Sequence, residues 1–389
     1  MLPWNLVSLF QWKLRLRMQL CSVHSQMQSQ QTIPTSIYEK VTEESMEDLL
    51  SKFLNDSRSP YHLCLEAEKI LSQNGFQHAD NIQQNLEPGS KTSFIRHGKS
   101  LFAINNQDEG AFAVFVASTR QPGMRLQNSP CEGKLLPLRT DGVGIWHTFV
   151  DRDLRVAGKL GEKLVDTIDP VAYIPSLAIH YDTTLRCTPN FNPGKLKAEI
   201  GDINVNTFFN NLGGSCFDKM DLSFVDAEQP GIIGDFIAAS GLSVVGHAFC
   251  ALNTFIKHKN FSTILALIDP EDIQESTDFI LSMIESSRRS FNIDVAMASS
   301  IVYSFDPPNT KQPLYPTTEG VVPGRTIITA SGGTSHQSLG SLVHQSLGMK
   351  GKHFGFPVMA EGSARETAIL QDIRQLICFF EEDPLDPIP

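Results

Sequence analysis

The spacing of apolar residues near the start of the chain predicts two helices. Over residues 42–55 the apolar side chains recur every three or four positions and acidic residues fill the first turn, as in an amphipathic helix. A second helix is expected directly afterwards, because Ser59 can cap it, Pro60 suits its first position and Gly75 suits its end. Both helices are predicted to be core scaffolding.

Shorter apolar runs predict strands that alternate with a further helix. Leu101–Asn105 and Ala111–Val116 have the length and composition of β segments. Leu242–Lys257 has helical periodicity, and Phe261–Asp269 is a continuous apolar run that ends in an acid. Such a run is typical of a parallel strand buried on both faces, and Gly324–Ser331 is predicted to be another.

The last helix is predicted to begin at a capping box. Ser363 precedes Glu366 by three positions, and an apolar face follows between Ile369 and Phe380. In a capping box, the hydroxyl and the carboxylate each accept a hydrogen bond from a free backbone N–H group at the start of a helix. The pattern therefore predicts a helix that starts at Ser363.

The alternation of helices and strands is interrupted by a segment of different composition. Residues 119–229 are rich in Gly, Pro, Asn and Asp and lack long helical periodicity, which is typical of a β-rich subdomain. The predicted fold class is α/β, with a central, mostly parallel sheet sandwiched by helices and an inserted β-rich oligomerisation or lid subdomain. The predicted domains are an N-terminal extension (1–36), a discontinuous α/β domain (37–118 and 230–382), the insertion (119–229) and a tail (383–389).

The composition narrows the classes of function. Hydrophobic residues make up 41% and charged residues 19% of the chain, which fits a globular protein. The net charge is -11 and the sequence has no basic stripe that could neutralise phosphates, so a nucleic-acid partner is not expected. No run approaches the roughly 20 apolar residues that a membrane helix needs, so no membrane partner is expected.

The cysteines and the N-terminus bear on the compartment. Seven scattered cysteines without a C-x-x-C pair predict reduced thiols and a cytoplasmic protein.

The first 38 residues contain no Asp or Glu and carry Lys13, Arg15 and Arg17, so residues 1–36 are interpreted as a mitochondrial or plastid transit peptide. The alternative is a disordered or wrongly assigned extension, because apolar and polar residues alternate there with period two. Both interpretations stay open.

Two segments resemble a known family. The stretch GVGIWHTFVDRDLRVAG, Gly142–Gly158, and the stretch IPSLAIH that ends at His180 resemble the aspartyl aminopeptidases. The resemblance implies a zinc-exopeptidase-like fold, a homo-oligomer and removal of acidic residues from peptide N-termini by a zinc pair. His180 matches a histidine with which the family contacts substrate in a neighbouring subunit's active site. The alternative for His180 is a hydrogen-bonded histidine at a strand end.

The resemblance also implies where zinc ligands are expected, at the carboxyl ends of parallel strands. The family's first histidine, in a segment like G-A-H-T-D-S-P, falls on Ser118 of VASTRQPG, and its bridging aspartate falls on Ser243. Its glutamate ligand falls on Asp272. A later aspartate, from a segment like S-A-D-M-A-H, falls near Ile301, and the last histidine falls on Gly362. Of these positions only Asp272 keeps a metal-binding side chain.

Two neighbouring positions extend this pattern. Glu271 matches the family's general base, which is vestigial if no metal is bound. Arg120 stands where the family has an aspartate that orients the first histidine. Its permanent positive charge opposes a pair of divalent ions. The replacements therefore predict a dismantled metal site.

The predicted function is that of an aspartyl-aminopeptidase-like protein with impaired or absent catalysis and no metal cofactor. Its expected partners are peptides, further copies of itself or an active paralogue. The alternative is an active zinc aminopeptidase that releases N-terminal Asp or Glu through displaced ligands. The candidate displaced ligands are His247, Asp269, Asp306 and His336. A gene model that lacks ligand-bearing segments is a second alternative, and point replacements such as Ser118 weigh against it.

Overall fold

The chain folds into an open α/β sheet, a closed β-barrel and a small antiparallel sheet. The computed structural model describes residues 45–81, 86–96, 98–107, 110–127, 134–141, 146–176, 180, 197–215, 218–258, 262–288, 293–315, 317–324, 328–329 and 338–382. In chain order the strands are β1 (Gln77–His78), β2 (Lys91–Arg96), β3 (Ser100–Asn105), β4 (Ala113–Ser118), β5 (Gly123–Leu126), β6 (Leu135–Asp141), β7 (Asp153–Leu160), β8 (Lys163–Asp166), β9 (Ala172–Tyr173), β10 (Lys197–Glu199), β11 (Met220–Asp226), β12 (Gly231–Ile233), β13 (Phe236–Ala239), β14 (Thr263–Ile268), β15 (Ile301–Phe305), β16 (Ile328–Thr329), β17 (Lys350–Gly355), β18 (Val358–Met359) and β19 (Glu366–Ile369). The helices are α1 (Met46–Asp56), α2 (Pro60–Gln73), α3 (Val205–Asn211), α4 (Leu242–Lys257), α5 (Ile273–Ser287), α6 (Ile293–Ser299), α7 (Leu339–Leu347) and α8 (Leu370–Glu382).

The open sheet has a parallel centre. In space its strands follow the order β1-β2-β3-β14-β4-β15-β17-β16. The four strands β14, β4, β15 and β17 run parallel to one another, whereas β3 and β16 flank this group with antiparallel pairings. The expected α/β fold with a mostly parallel central sheet is therefore confirmed.

Alternate residues of the central strands face opposite layers of helices, as the period-two geometry of a strand requires. Val114 and Val116 of β4 pack into one apolar cluster with Ile280 of α5 and Val343 of α7. On the other face Phe115 meets Phe380 of α8, with ring centroids 6.3 Å apart, and α4 contacts both β4 and α8. Because helices cover both faces, all six residues of β14 are buried, which explains its continuous apolar sequence.

The β-rich segment predicted in the middle of the chain forms a barrel. Its strands follow the order β11-β5-β6-β10-β9-β7-β8, and a further pairing of β11 with β7 closes the ring. Leu138, Val156 and Phe224 lie in its apolar interior. Closure brings two backbones close together at Gly158, where φ is 145° and an added Cβ would stand 2.1 Å from the carbonyl oxygen of Asp221. Only glycine fits this contact without strain.

The small sheet has an exposed edge. Its strands are antiparallel and follow the order β12-β13-β19-β18, so β12 lies at one side. The side chains of Ile232 and Ile233 on β12 are 46% and 73% exposed. The edge of this sheet therefore presents apolar side chains to solvent.

The first helices begin where side chains satisfy their free N–H groups. Ser45 and Asp48 form a capping box directly before α1, in which each side chain accepts from the other residue's N–H. Ser59 caps α2 and Pro60 is its first residue, as predicted, and α4 has the predicted bounds Leu242–Lys257.

Two predicted elements are wrong. Ser363 and Glu366 do not start a helix, because Glu366 begins β19, which pairs with β13, and α8 begins at Leu370. Pairing with a neighbouring strand outweighs the local capping signal. Gly324–Ser331 was expected to be a buried parallel strand. Of this segment the structure describes β16, which pairs antiparallel with β17 at the edge of the open sheet.

The described residues can also be checked for membrane-spanning helices and for the burial of their cysteines. None of the helices there has both the length and the apolar character needed to cross a membrane. Cys64 and Cys250 are buried free thiols, and Cys378 is an exposed one. Burial raises the pKa of the Cys64 and Cys250 thiols, so both stay protonated at neutral pH.

Candidate functional site

Three strands of the open sheet end side by side and carry polar residues at their carboxyl ends. Ser118 is the last residue of β4 and pairs with Ile268, the last residue of β14. Asp269 follows β14, and Asp306 follows β15, which lies on the other side of β4. Open α/β sheets bind ligands at this edge, so these residues define the candidate site.

Asp269 is fully buried and is held by Arg120. Nε of Arg120 donates to Oδ1 at 2.9 Å and Nη2 donates to Oδ2 at 2.7 Å, which is the two-pronged geometry of a strong Arg–carboxylate pair. The N–H of Glu271 also donates to Oδ1, at 3.0 Å. The ammonium of Lys99 lies 3.8 Å from Oδ2. Because Asp269 has no exposed surface, its charge is compensated mainly by the Arg120 guanidinium.

Glu271, the position of the expected general base, is bound by the same guanidinium. Its Oε1 accepts from Nη1 of Arg120 and from Nη1 of Arg125, both at 2.8 Å. Its Oε2 lies 2.7 Å from Nη2 of Arg120 and 3.5 Å from Nζ of Lys99. Partial burial raises the pKa of Glu271, but the hydrogen bond from Arg125 and the charges of both guanidinium groups outweigh it and lower that pKa. Glu271 is therefore a weaker base than a free carboxylate.

A third carboxylate reaches this site from the barrel. Oδ1 of Asp221, on β11, accepts from Nη2 of Arg125 at 2.6 Å. Its Oδ2 accepts from the hydroxyl of Tyr61 at 2.9 Å and lies 2.7 Å from Nζ of Lys99. Burial raises the pKa of Asp221, yet Lys99 and Arg125 hold it well below its usual range. We call the following residues the ion cluster: Lys99, Arg120, Arg125, Asp221, Asp269 and Glu271.

The ion cluster balances its own charge and connects two parts of the fold. Three basic side chains face three carboxylates. Arg125 on β5 and Asp221 on β11 belong to the barrel, whereas Arg120 and Asp269 follow strands of the open sheet. The cluster therefore joins the barrel to the carboxyl edge of the sheet.

Two of the positions expected to hold zinc ligands meet at a buried carboxylate. The N–H of Ser243 donates to Oε2 of Glu366 at 2.6 Å, and the Ser243 hydroxyl donates to Oε1 at 2.8 Å. The N–H of Gly362 also donates to Oε1. Burial raises the pKa of Glu366 to about 7 against these hydrogen bonds. Sequence reasoning placed Glu366 in a helix cap and therefore missed this contact.

His247, a candidate displaced ligand, has both ring nitrogens engaged. Nδ1 lies 2.6 Å from the carbonyl oxygen of Ser243, and Nε2 accepts from the N–H of Phe356 at 3.1 Å. Since a carbonyl can only accept, Nδ1 carries the proton. The ring stacks on Phe356 with centroids 4.0 Å apart, and burial lowers the pKa of His247 to about 3. His247 is therefore a neutral, packed histidine whose lone pair is already used.

The structure does not bring Ile301 to the carboxyl edge. Ile301 begins β15 and pairs with Ala113, at the opposite end of β4 from Ser118. The acidic residue at the carboxyl end of β15 is Asp306, which accepts from the Ser304 hydroxyl. Burial raises the pKa of Asp306, and this hydrogen bond opposes the increase. The sequence offered a signal for Asp306, because Ser304–Asp306 reads S-F-D where the family segment begins S-A-D.

The remaining predicted positions are more dispersed. Asp272 is partly buried in the 3-10 turn Pro270–Asp272, and its N–H donates to the carbonyl oxygen of Asp269 at 2.9 Å. His180 is exposed and follows β9 in the chain. His336, the other candidate displaced ligand, lies outside the described residues.

The donors at this edge can be compared with the needs of zinc, which binds three or four imidazole, thiolate or carboxylate groups. Ser118 and Ser243 offer hydroxyls, and Gly362 offers no side chain. Asp269 is bonded to Arg120 through both oxygens. Across the described ranges, no group of three or more His, Cys, Asp or Glu side chains is placed to hold one ion. The described donors therefore do not fit a zinc pair.

The segment Asp151–Asp153 lines a separate cleft of about 920 Å³. Nη1 of Arg152 lies 3.0 Å from Asp226 and 3.6 Å from Glu228. Arg365 approaches the same two carboxylates, at 3.7 and 3.3 Å. These ion pairs link the residue before β7, the end of β11 and the segment before β19.

Sequence comparison identifies similar proteins over part of the chain. Residues 53–211 match the family model described as Aminopeptidase I zinc metalloprotease (M18). The aspartyl aminopeptidase of Aspergillus oryzae is 35% identical over 155 residues, which cover 35% of this chain and 31% of that protein. A probable M18 family aminopeptidase 2 of Ectopseudomonas mendocina is 26% identical over 266 residues, which cover 59% of this chain and 62% of that protein. The chain thus spans about a third of the length of the first of these relatives.

Solved structures share the fold over most of the chain. The M18 family aminopeptidase from Thermotoga maritima has a TM-score of 0.74 at 15% identity and covers 90% of this chain and 98% of its own. The mApe1 dodecamer of S. cerevisiae gives 0.71 at 17% identity, covering 86% and 95%. A chain of the Ape4 and Nbr1 complex gives 0.73 at 20% identity, covering 85% and 83%. At these identities the likeness shows a common fold.

Proposed function

We propose that this chain belongs to the M18 aspartyl aminopeptidase family and keeps the fold of that family, but does not hydrolyse peptides with a zinc pair. The observation that carries the proposal is the position of Arg120. Its guanidinium binds two carboxylates, Asp269 and Glu271, at the edge where ligand sites of open sheets lie. The singly charged guanidinium of Arg120 thus binds the carboxylate oxygens that would otherwise be available to a metal ion.

The ion cluster weighs against hydrolysis in two ways. Its three carboxylates are already paired with three basic side chains, so they do not offer the free carboxylate ligands that a pair of zinc ions needs. A general base must also have a free lone pair and an adequate pKa. Both oxygens of Glu271 are engaged by Arg120, and its pKa is lowered. The described residues of the site therefore offer no metal cradle, and Glu271 is a weaker base than a free carboxylate.

Metal content and peptidase activity test this proposal together. After incubation with zinc and dialysis, the full-length protein is expected to retain far less than one zinc ion per chain and to release no detectable Asp or Glu from an aminopeptidase substrate. An active M18 aspartyl aminopeptidase treated in parallel is the positive control. The proposal fails if the protein holds about two zinc ions per chain. It also fails if the wild type releases Asp from the substrate and the Glu271→Gln variant does not.

A protein without hydrolysis can still bind peptides or assemble, and we propose assembly with copies of itself or with an active paralogue. One protein of similar fold is a dodecamer. In this chain the β12–β13 hairpin exposes Ile232, Ile233 and Phe236, the last of them 40% exposed, and β12 lies at the edge of its sheet. Exposed apolar side chains on an edge strand are typical of association surfaces.

Charges placed on this hairpin are expected to weaken assembly. The Ile232→Glu/Ile233→Glu variant should shift the mass measured by light scattering towards a single chain, because carboxylates are costly to bury in an apolar contact. Leu314→Glu is the matched control, since Leu314 is 88% exposed but lies outside the hairpin. An unchanged mass, or an equal change in the control, would rule out the hairpin. If the wild type is a monomer and does not bind an active M18 homologue, both forms of assembly are ruled out.

A further inference from the structure

The hydrogen-bond donors of the ion cluster converge on one point. Arg120 is oriented by Asp269, and Arg125 is oriented by Asp221. Nη1 of each arginine then lies 2.8 Å from Oε1 of Glu271, and Nη2 of Arg120 lies 2.7 Å from Oε2. Two guanidinium groups that are held by other partners and directed at both oxygens of one carboxylate have the geometry of a carboxylate-binding site.

The charges around this point favour a single negative charge. Among the six residues of the ion cluster, three basic side chains face two carboxylates other than Glu271, so without Glu271 its basic residues outnumber its acidic residues by one. A carboxylate restores neutrality. A phosphate group, which carries about 1.5 to 2 negative charges at neutral pH, overcompensates.

Glu271 is the most accessible carboxylate of the cluster. Its side chain is 48% exposed, whereas those of Asp221 and Asp269 are 24% and 0% exposed. It lies in the turn Pro270–Asp272, which buries none of its residues. A change of side-chain rotamer can therefore take Glu271 out of the site while the two arginines keep their other partners.

We propose that Arg120 and Arg125 form a binding site for a carboxylate group of a ligand and that Glu271 is its internal occupant. The carboxylate of the ligand replaces that of Glu271 and accepts the same hydrogen bonds. This inference goes beyond the absence of hydrolysis, because it gives the two arginines a ligand of their own.

Competition from Glu271 sets the affinity that is expected. A group tethered beside its site competes at an effective concentration in the millimolar range or higher. The wild-type protein should therefore bind a free carboxylate weakly. Removing the Glu271 carboxylate is expected to increase the affinity at least about tenfold.

Calorimetric titration of the full-length protein with two matched probes tests the inference. N-acetylglutamate α-amide carries one side-chain carboxylate, and N-acetylglutamine α-amide carries the neutral amide instead. Glu271→Ala is expected to bind the carboxylate probe at least about tenfold more tightly than the wild type and to ignore the amide probe. Glu285→Ala, which removes an exposed carboxylate from α5, should behave like the wild type. Adding Arg125→Gln to Glu271→Ala should abolish binding.

Three results would overturn the inference. The first is that Glu271→Ala and the wild type bind the carboxylate probe with equal affinity. The others are that Glu271→Ala binds the two probes equally, or that it binds inorganic phosphate more tightly than the carboxylate probe. If circular dichroism shows that Glu271→Ala does not fold, Glu271→Gln keeps the side-chain volume and the same results decide. The zinc assay uses neither probe, so a failure of the proposed function and a failure of this inference are told apart.

Discussion

Replacing Arg120 with methionine is expected to lower the free energy of unfolding by about 3 to 5 kcal/mol, the range found when one partner of a buried ion pair is removed. The substitution removes the two hydrogen bonds to Asp269, which has no exposed surface. The ammonium of Lys99, 3.8 Å away, compensates only part of that charge. Methionine keeps an unbranched side chain that adapts to irregular space, so the loss reports the ion pair more than a cavity.

Urea unfolding of the variant and the wild type measures this loss. Arg139→Met is the matched control, because Arg139 is exposed on β6, and its effect should stay within about 0.5 kcal/mol. Adding Asp269→Asn to Arg120→Met should recover part of the loss, since the neutral amide needs no counter-charge. A cost below about 1 kcal/mol for Arg120→Met, as for exposed ion pairs, would contradict this description of the site.

The carboxyl edge of the sheet could be predicted because its signals are local. A continuous apolar run leads directly to Asp269, and a second run leads to Ser118. Strand direction then places both residues at the edge where ligands bind. A β-rich subdomain was also predicted, from a stretch that is rich in turn-forming residues and lacks helical periodicity, but its closure into a barrel was not. These features depend on residues that are close together in the sequence.

The partners at that edge could not be predicted because they depend on pairings between distant segments. Arg125 on β5 pairs with Ser223 on β11. Asp221 lies two residues before Ser223 on β11, so the side chains of Asp221 and Ser223 are on the same face of the strand. Neither Arg125 nor Asp221 belongs to a motif, and neither is near Asp269 in the sequence. Arg120 was the one local sign, because a positive charge stood where an aspartate was expected.

Glu366 shows how a local signal can favour the wrong element. The spacing of Ser363 and Glu366 is that of a capping box, and an apolar face follows it. In the fold Glu366 begins β19, and its carboxylate accepts from Ser243 instead. The pairing of β19 with β13 joins segments that are distant in the sequence, so only the structure shows that the Glu366 carboxylate is buried.

The stability of the protein is expected to fall as the pH rises through the range in which Glu366 loses its proton. Burial raises the pKa of Glu366 from 4.5 to about 7. Between these values the folded protein holds a proton that the unfolded chain has released, so the free energy of unfolding decreases with increasing pH and levels off above about pH 7. A difference of one in pKa corresponds to about 1.4 kcal/mol, so the loss due to Glu366 is about 3 kcal/mol.

Urea unfolding of the wild type and of Glu366→Gln at about pH 5 and about pH 8 isolates this contribution. The wild type should lose about 2.5 kcal/mol more than the variant between the two conditions. The variant has a lower baseline, because an amide cannot accept from both donors of Ser243, but only the change with pH is compared. Glu319→Gln, at an exposed position, should keep the wild-type change. If Glu366→Gln loses stability as steeply as the wild type, Glu366 is already ionised in the folded protein at low pH, and the hydrogen bonds from Ser243 and Gly362 outweigh the cost of burying its charge.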